Sequence, residues 1–385
     1  MKFSNFSLDP FVLEALASIG YETPTPVQEV AIPMILNGHD VIALAQTGSG
    51  KTAACAIPIC HRVDPHNKAI QALIIVPTRE LALQYAVETQ KIGKKKGVRT
   101  YALFGGEEHQ LQQAKLKHGV QVLVATPGRL IDLVYSRSID LTEVDTLILD
   151  EADEMLGMGF YDDLEFIIQC LVHEHQTLLF SATMPQEIRR IARINMKEPK
   201  EISLIAKKPA PEKIEHFFSF CLHSKERLSL LITHIKTFRP KQAIIFCNSR
   251  REVEEVAREL KKSFSYVDFL HGGLSQSTRT VITDKFRRAR IHVLVATDVA
   301  ARGLDFVGVT HVFHFHLPHD VEGYVHRSGR TGRSGRSGVS ISICTHRDLG
   351  YMDGIQKKIG KKVKWIGPPP PDHNSRRFKR PRSLE

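Results

Sequence analysis

Val41-Ile42-Ala43-Leu44 followed by Ala45-Gln46-Thr47-Gly48-Ser49-Gly50-Lys51-Thr52 is the stretch on which the fold turns. Four apolar residues read as a buried strand, a glycine-bearing loop follows, and residues 52–60 continue as a helix. That order is the context of a phosphate-binding loop. Gly48 and Gly50 let backbone N–H groups curl around phosphate oxygens with no side chain in the way. Lys51 reaches the β- and γ-phosphates, and the Thr52 hydroxyl can ligate Mg2+. Ala45 occupies the place where such loops usually begin with glycine.

Working outward, short apolar runs recur, each followed by a helical segment. In the first half they are 41–45, 72–77, 121–127, 146–150 and 177–183; in the second, 243–249, 266–272, 292–298, 311–318 and 339–345. Continuous apolar strands alternating with helices predict a mostly parallel sheet with helices on both faces. The halves share detail as well as rhythm: VLVATPGR (122–129) stands beside VLVATDVAARG (293–303). The fold class is therefore α/β, two tandem copies of one design. Residues 197–214, rich in Lys, Pro and Glu, read as the connection. We set the first domain at 1–206, the linker at 207–213, the second domain at 214–365 and a disordered basic tail at 366–385.

The phosphate loop needs a carboxylate at the end of a neighbouring strand. Thr146-Leu147-Ile148-Leu149-Asp150-Glu151 supplies it, with Asp150 as a Mg2+ ligand and Glu151 as general base for the attacking water.

Composition sets limits. Across 385 residues, 42% apolar, no run approaches the ~20 residues that span a bilayer, and the first residues lack the layout of a secretory signal. Six widely spaced cysteines show no Cys-x-x-Cys pair, which argues for reduced thiols and a cytoplasmic protein with no membrane partner. The net charge is +11, and residues 357–385 hold ten Lys/Arg against two acids. Such a tail suits either a phosphate backbone or simple solubility.

Asp150-Glu151-Ala152-Asp153 resembles the signature of the DEAD-box RNA helicase family, and the family's other motifs follow in order across residues 3–333. The resemblance implies two RecA-like domains using ATP and Mg2+. Gly20–Gln28 is similar to an adenine-recognising element, in which Thr23 and Gln28 contact the base and Phe3 stacks on it. Residues 45–52 bind the phosphates. Arg79, Gly106, Thr126 and Arg129 look like the RNA-gripping residues of the first domain, and Arg279 and Thr297 like those of the second. Ser181 and Thr183 resemble the element that couples ATP state to strand separation, with His326 joining them. Gly303 and Asp305 would close on the nucleotide, and Arg330 and Arg333 in His326–Arg333 would be arginine fingers. Catalysis would then rest on Lys51, Asp150, Glu151, Arg330 and Arg333. Closure of the domains on ATP would drive local, non-processive unwinding of RNA, gripped mainly by its backbone.

The pattern departs from the family's at Ser328 and at His314-Phe315-His316. Sequence alone leaves open a helicase acting on DNA, an ATP-dependent RNA clamp, and protein partners in RNA processing.

Overall fold

The computed structural model describes residues 2–45, 49–203, 214–301, 306, 308–318, 320–332 and 336–370. The chain divides into two compact units, Met1–Ala210 and Pro211–Glu385.

The first unit is built on seven parallel strands: β1 Val41–Leu44, β2 Ala72–Ile75, β3 Thr100–Leu103, β4 Val122–Ala125, β5 Thr146–Asp150, β6 Gln176–Ser181 and β7 Lys200–Ser203. Their order is β3-β4-β2-β5-β6-β1-β7. Alternate residues of each central strand enter opposite cores. Val41, Ala43, Ile74, Val124 and Ile148 lie on one side; Ile42, Leu73, Ile75, Leu123 and Leu149 lie on the other. Both faces are covered by helices, so apolar runs rather than alternating ones mark these strands.

The second unit has β8 Ile214–Phe220, β9 Ala243–Phe246, β10 Val267–Leu270, β11 Val293–Ala296, β12 His311–His314, β13 Gly338–Cys344 and β14 Lys364–Ile366. Their order is β10-β11-β9-β12-β13-β8-β14, again all parallel. Counted from the start of each unit, every strand takes the same place in its sheet. The two copies expected from sequence rhythm thus share one topology.

Four strands escape the sequence reading: β3, β7, β8 and β14. Three of them are edges, where one side of the backbone stays unpaired and the apolar signal is weak. Lys200–Ser203 falls inside the stretch read as a connection, yet it pairs with Val41–Leu44; only Ile202 of the four is buried. Ile366, assigned to the tail from sequence, closes β14. The linker residues 207–213 and the tail from 371 lie outside the described residues.

All six cysteines are free, and five are buried. Among the described residues no helix is long and apolar enough to cross a membrane.

Candidate active site

In a parallel sheet, loops at the C-terminal edge collect the chemistry. Here β6 lies between β1 and β5, so Ala45 and Asp150 emerge two strand spacings apart, roughly 10 Å. A long side chain bridges that gap. Lys51, the first residue of helix Lys51–Arg62, brings Nζ to 3.7 Å from Asp150 Oδ1, with both side chains almost fully buried. Burial pushes the Asp150 carboxyl above the usual range; Lys51 and the Glu151 N–H, 2.9 Å from Asp150 Oδ1, pull it back. A buried carboxylate only partly offset by one ammonium is a place that favours a further cation. With the Thr52 hydroxyl one residue along from Lys51, the donor set fits Mg2+, which prefers such oxygens.

Glu151 follows with φ +53°, a left-handed backbone rare for a residue with a side chain, and N-caps helix Ala152–Gly157. The sharp reversal keeps Glu151 beside Asp150 at the strand end, where a general base belongs. Such strain concentrates at functional positions.

The Asp153 carboxylate binds the next strand end. Oδ2 accepts from the Thr183 N–H and hydroxyl, both at 2.9 Å, while the Asp153 N–H donates to Ser181 Oγ at 3.2 Å. Ser181 in turn accepts from the Ala45 N–H through its carbonyl at 3.1 Å. One chain of bonds therefore runs from the phosphate loop through Ser181 to Asp153 and Thr183.

Gly50 has φ +96° at the start of helix Lys51–Arg62. Gln28, in helix Pro26–Leu36, accepts from the Thr25 N–H at 2.9 Å and donates to the Gly50 carbonyl at 3.1 Å. One N–H and one oxygen lone pair of its amide are used inside the protein, and the second N–H and second lone pair are what it has to offer a base edge. Thr23 is exposed. Phe3 is buried, its ring 6.0 Å from those of both Phe6 and Tyr21, which leaves little face for stacking on a base. Ser49 Oγ is buried with no hydrogen-bond partner among the described residues.

Arg79 and Arg129 meet one loop. A Cβ on Gly106, φ +95°, would lie 2.6 Å from Arg79 Nη1. Arg129 donates to Gln112 Oε1 at 2.6 Å and to the Glu107 carbonyl at 3.0 Å. Thr126 begins helix Pro127–Tyr135 beside them.

In the second unit, Thr297 precedes helix Asp298–Ala301, and Arg279 is buried in helix Gln276–Arg287. Arg279, His326 and Arg330 all have partners already. Sequence reasoning missed Arg327. Almost fully buried, it grips the Asp298 carboxylate at 2.5 and 2.6 Å and donates to the His316 carbonyl at 2.7 Å and Asn248 Oδ1 at 3.2 Å. Nothing in an Arg-rich, Gly-rich stretch distinguishes an internal arginine from a ligand-facing one. The unusual His314 and Ser328 are partners: His314 Nε2 lies 3.2 Å from both Ser328 Oγ and Ser340 Oγ, with Tyr324 stacked at 4.8 Å.

Gln46, Thr47, Gly48, Gly303, Asp305 and Arg333 lie outside the described residues.

Residues 25–191 match the DEAD/DEAH box helicase family and residues 226–335 the helicase conserved C-terminal domain. The ATP-dependent RNA helicase CshA of Listeria monocytogenes is 44% identical over 368 residues, 96% of this chain and 71% of that one. The DEAD-box ATP-dependent RNA helicase CshA of Geobacillus kaustophilus is 44% identical over 367 residues, 95% and 78% of the two chains. Among solved structures, S. cerevisiae Dbp5 bound to RNA and ADP BeF3 matches with a TM-score of 0.85 at 30% identity, covering 95% of each chain.

Proposed function

The chain belongs to the DEAD/DEAH box helicase family, and from that premise we propose that it is an ATP-dependent RNA helicase whose RNA-stimulated ATP hydrolysis drives local, non-processive unwinding of RNA. The observation that carries the reading is Lys51 at 3.7 Å from Asp150, whose strand end leads within three residues to Asp153, the carboxylate that accepts from Thr183. A phosphate-binding lysine and an acid-bearing strand end are thereby tied to a segment that can report the state of the nucleotide.

Lys51 and the loop N–H groups hold the ATP phosphates. Thr52 and Asp150 would hold Mg2+, which when bound neutralises phosphate charge. Glu151 accepts the proton of the attacking water. Arg330 and Arg333 supply positive charge to the transferring phosphoryl group, so turnover draws on both units. Gln28, with Thr23 and Phe3, selects the base, while Gly303 and Asp305 meet the nucleotide from the second unit. Arg79, Gly106, Thr126, Arg129, Arg279 and Thr297 hold the RNA backbone, giving little sequence preference. Ser181, Thr183 and His326 couple nucleotide state to duplex opening. Free cysteines suit a reducing, cytoplasmic setting.

The test is ATP turnover with RNA, with single-stranded DNA and with neither, beside strand displacement on a short RNA duplex. RNA-specific stimulation and ATP-dependent displacement are expected. Equal stimulation by DNA would overturn the RNA assignment; turnover without displacement would make the protein a clamp.

A further inference from the structure

The shared topology allows a direct comparison of the sheet edge opposite the active site. In the first unit, β3, β4 and β2 begin after Arg99, Gln121 and Gln71; in the second, β10, β11 and β9 begin after Tyr266, His292 and Gln242. The backbone is equivalent. Gln121 N–H donates to the Arg99 carbonyl at 3.0 Å, and His292 N–H to the Tyr266 carbonyl at 2.9 Å.

The side chains are put to different use. In the first unit they are consumed internally: Gln121 accepts from the Arg99 N–H at 2.9 Å and donates to the Asn67 carbonyl at 2.7 Å. In the second, the Tyr266 and His292 rings lie 5.0 Å apart, and neither makes a side-chain hydrogen bond among the described residues. Tyr266 is 64% exposed and has φ +61°, a conformation in which a bulky aromatic is an outlier. Internal packing does not explain an aromatic there.

Charge gathers around the rings. The segments entering these three strands, 239–242, 261–266 and 285–292, contain eight Lys/Arg and no Asp or Glu. Lys261, Lys262 and Arg288 pair with neighbouring acids. Arg239, Lys241, Lys285 and Arg290 are exposed and have no acidic partner among the described residues. Exposed aromatic faces among unpaired cations are the chemistry that holds single-stranded nucleic acid: bases stack on the rings, and phosphates meet the charges.

We propose that this edge of the second unit is an accessory RNA-binding surface, taking a single-stranded stretch that extends beyond the strand held by the motif residues. It rests on the RNA reading above. It also lies a strand length, roughly 13 Å, from the loop that carries Thr297 at the other end of β11. RNA bound here therefore adds affinity without entering the chemistry.

The experiment uses the full chain and a fluorescein-labelled uridine oligomer of about 30 nucleotides, longer than the ~4–16 that one platform takes. Lys241→Glu/Arg290→Glu is expected to weaken binding about ten-fold and to flatten the salt dependence, its slope falling by roughly 0.7 for each phosphate no longer neutralised. The kcat at saturating RNA stays unchanged. Tyr266→Asn provides the separation from a structural role: Asn tolerates the left-handed backbone, so thermal stability holds or rises while affinity falls about five-fold. Lys91→Glu/Lys94→Glu, an equal charge change on the first unit, is expected to act by less than two-fold. Equal weakening by both charge reversals would reduce the patch to long-range charge. Unchanged affinity in the patch variants would assign it to another partner, such as an acidic protein. Either result overturns the proposal, whereas a wild type unstimulated by RNA would instead overturn the functional reading.

Discussion

The Gln28 side chain closes on the Gly50 carbonyl at 3.1 Å, and a Cβ on Gly50 would come within 2.7 Å of that same Gln28 nitrogen. Base-selecting and phosphate-binding elements are therefore one packed assembly, and a change in either is felt by the other.

Gly50→Ala meets both this clash and a φ of +96°. We expect a loss of about 1–3 kcal/mol in the stability of the first unit, with a raised KM for ATP. Urea unfolding and ATP titration of the turnover rate provide the check. A variant with wild-type stability and KM would show that the loop is not held as described.

Glu151→Gln keeps the size of the side chain and removes its basicity. Turnover should drop by about 10^2- to 10^4-fold, while binding of ATP persists. Single-turnover hydrolysis at the wild-type rate would remove Glu151 from the role of base.

Thr183→Ala deletes one of two bonds to Asp153 Oδ2, the other being the backbone N–H. Stability should fall by only about 0.5–1.5 kcal/mol. Duplex displacement should suffer far more than RNA-stimulated turnover, and Asp153→Asn should add little in the double variant. Equal loss of both activities would end the coupling role.

Arg330→Ala should lower RNA-stimulated kcat by about 10^3-fold, the lower range for an arginine supplied to a transferring phosphoryl group. An unchanged kcat would rule the role out.

The second unit should weaken in acid. Burial pushes His216 down from 6.5 to about 4, and His314 is lowered in the same sense. Between those values the unfolded chain binds more protons than the folded one, so stability is full above about pH 6.5 and is lost as pH falls toward 4. For His216 the loss is roughly 3 kcal/mol. Thermal unfolding from pH 7.5 to 4.5 should show the decline, flatter in His216→Gln; identical profiles would refute the attribution.

Much of this was legible in sequence because the functional residues cluster where apolar strands stop. Asp150 and Ser181 end β5 and β6, and Ala45 and Thr297 directly follow β1 and β11. Edges were not legible: Lys200–Ser203 is polar because only one of its residues meets the core. Nor were roles set by three-dimensional neighbours. Arg327 looks like the other arginines of its stretch until Asp298 is found beside it, and the partners of Gln28 become visible only once helix Pro26–Leu36 packs against the phosphate loop.

The matching strand orders have a final consequence, for stoichiometry. Where the first unit follows β1 with its glycine loop, the second follows β8 with Cys221-Leu222-His223-Ser224-Lys225-Glu226, which offers no glycine to let backbone N–H groups curl around a phosphate. The duplicated scaffold thus has two addresses for a phosphate loop and one tenant. A titration should accordingly saturate at a single nucleotide per chain, and a fragment of the second unit alone should take up none.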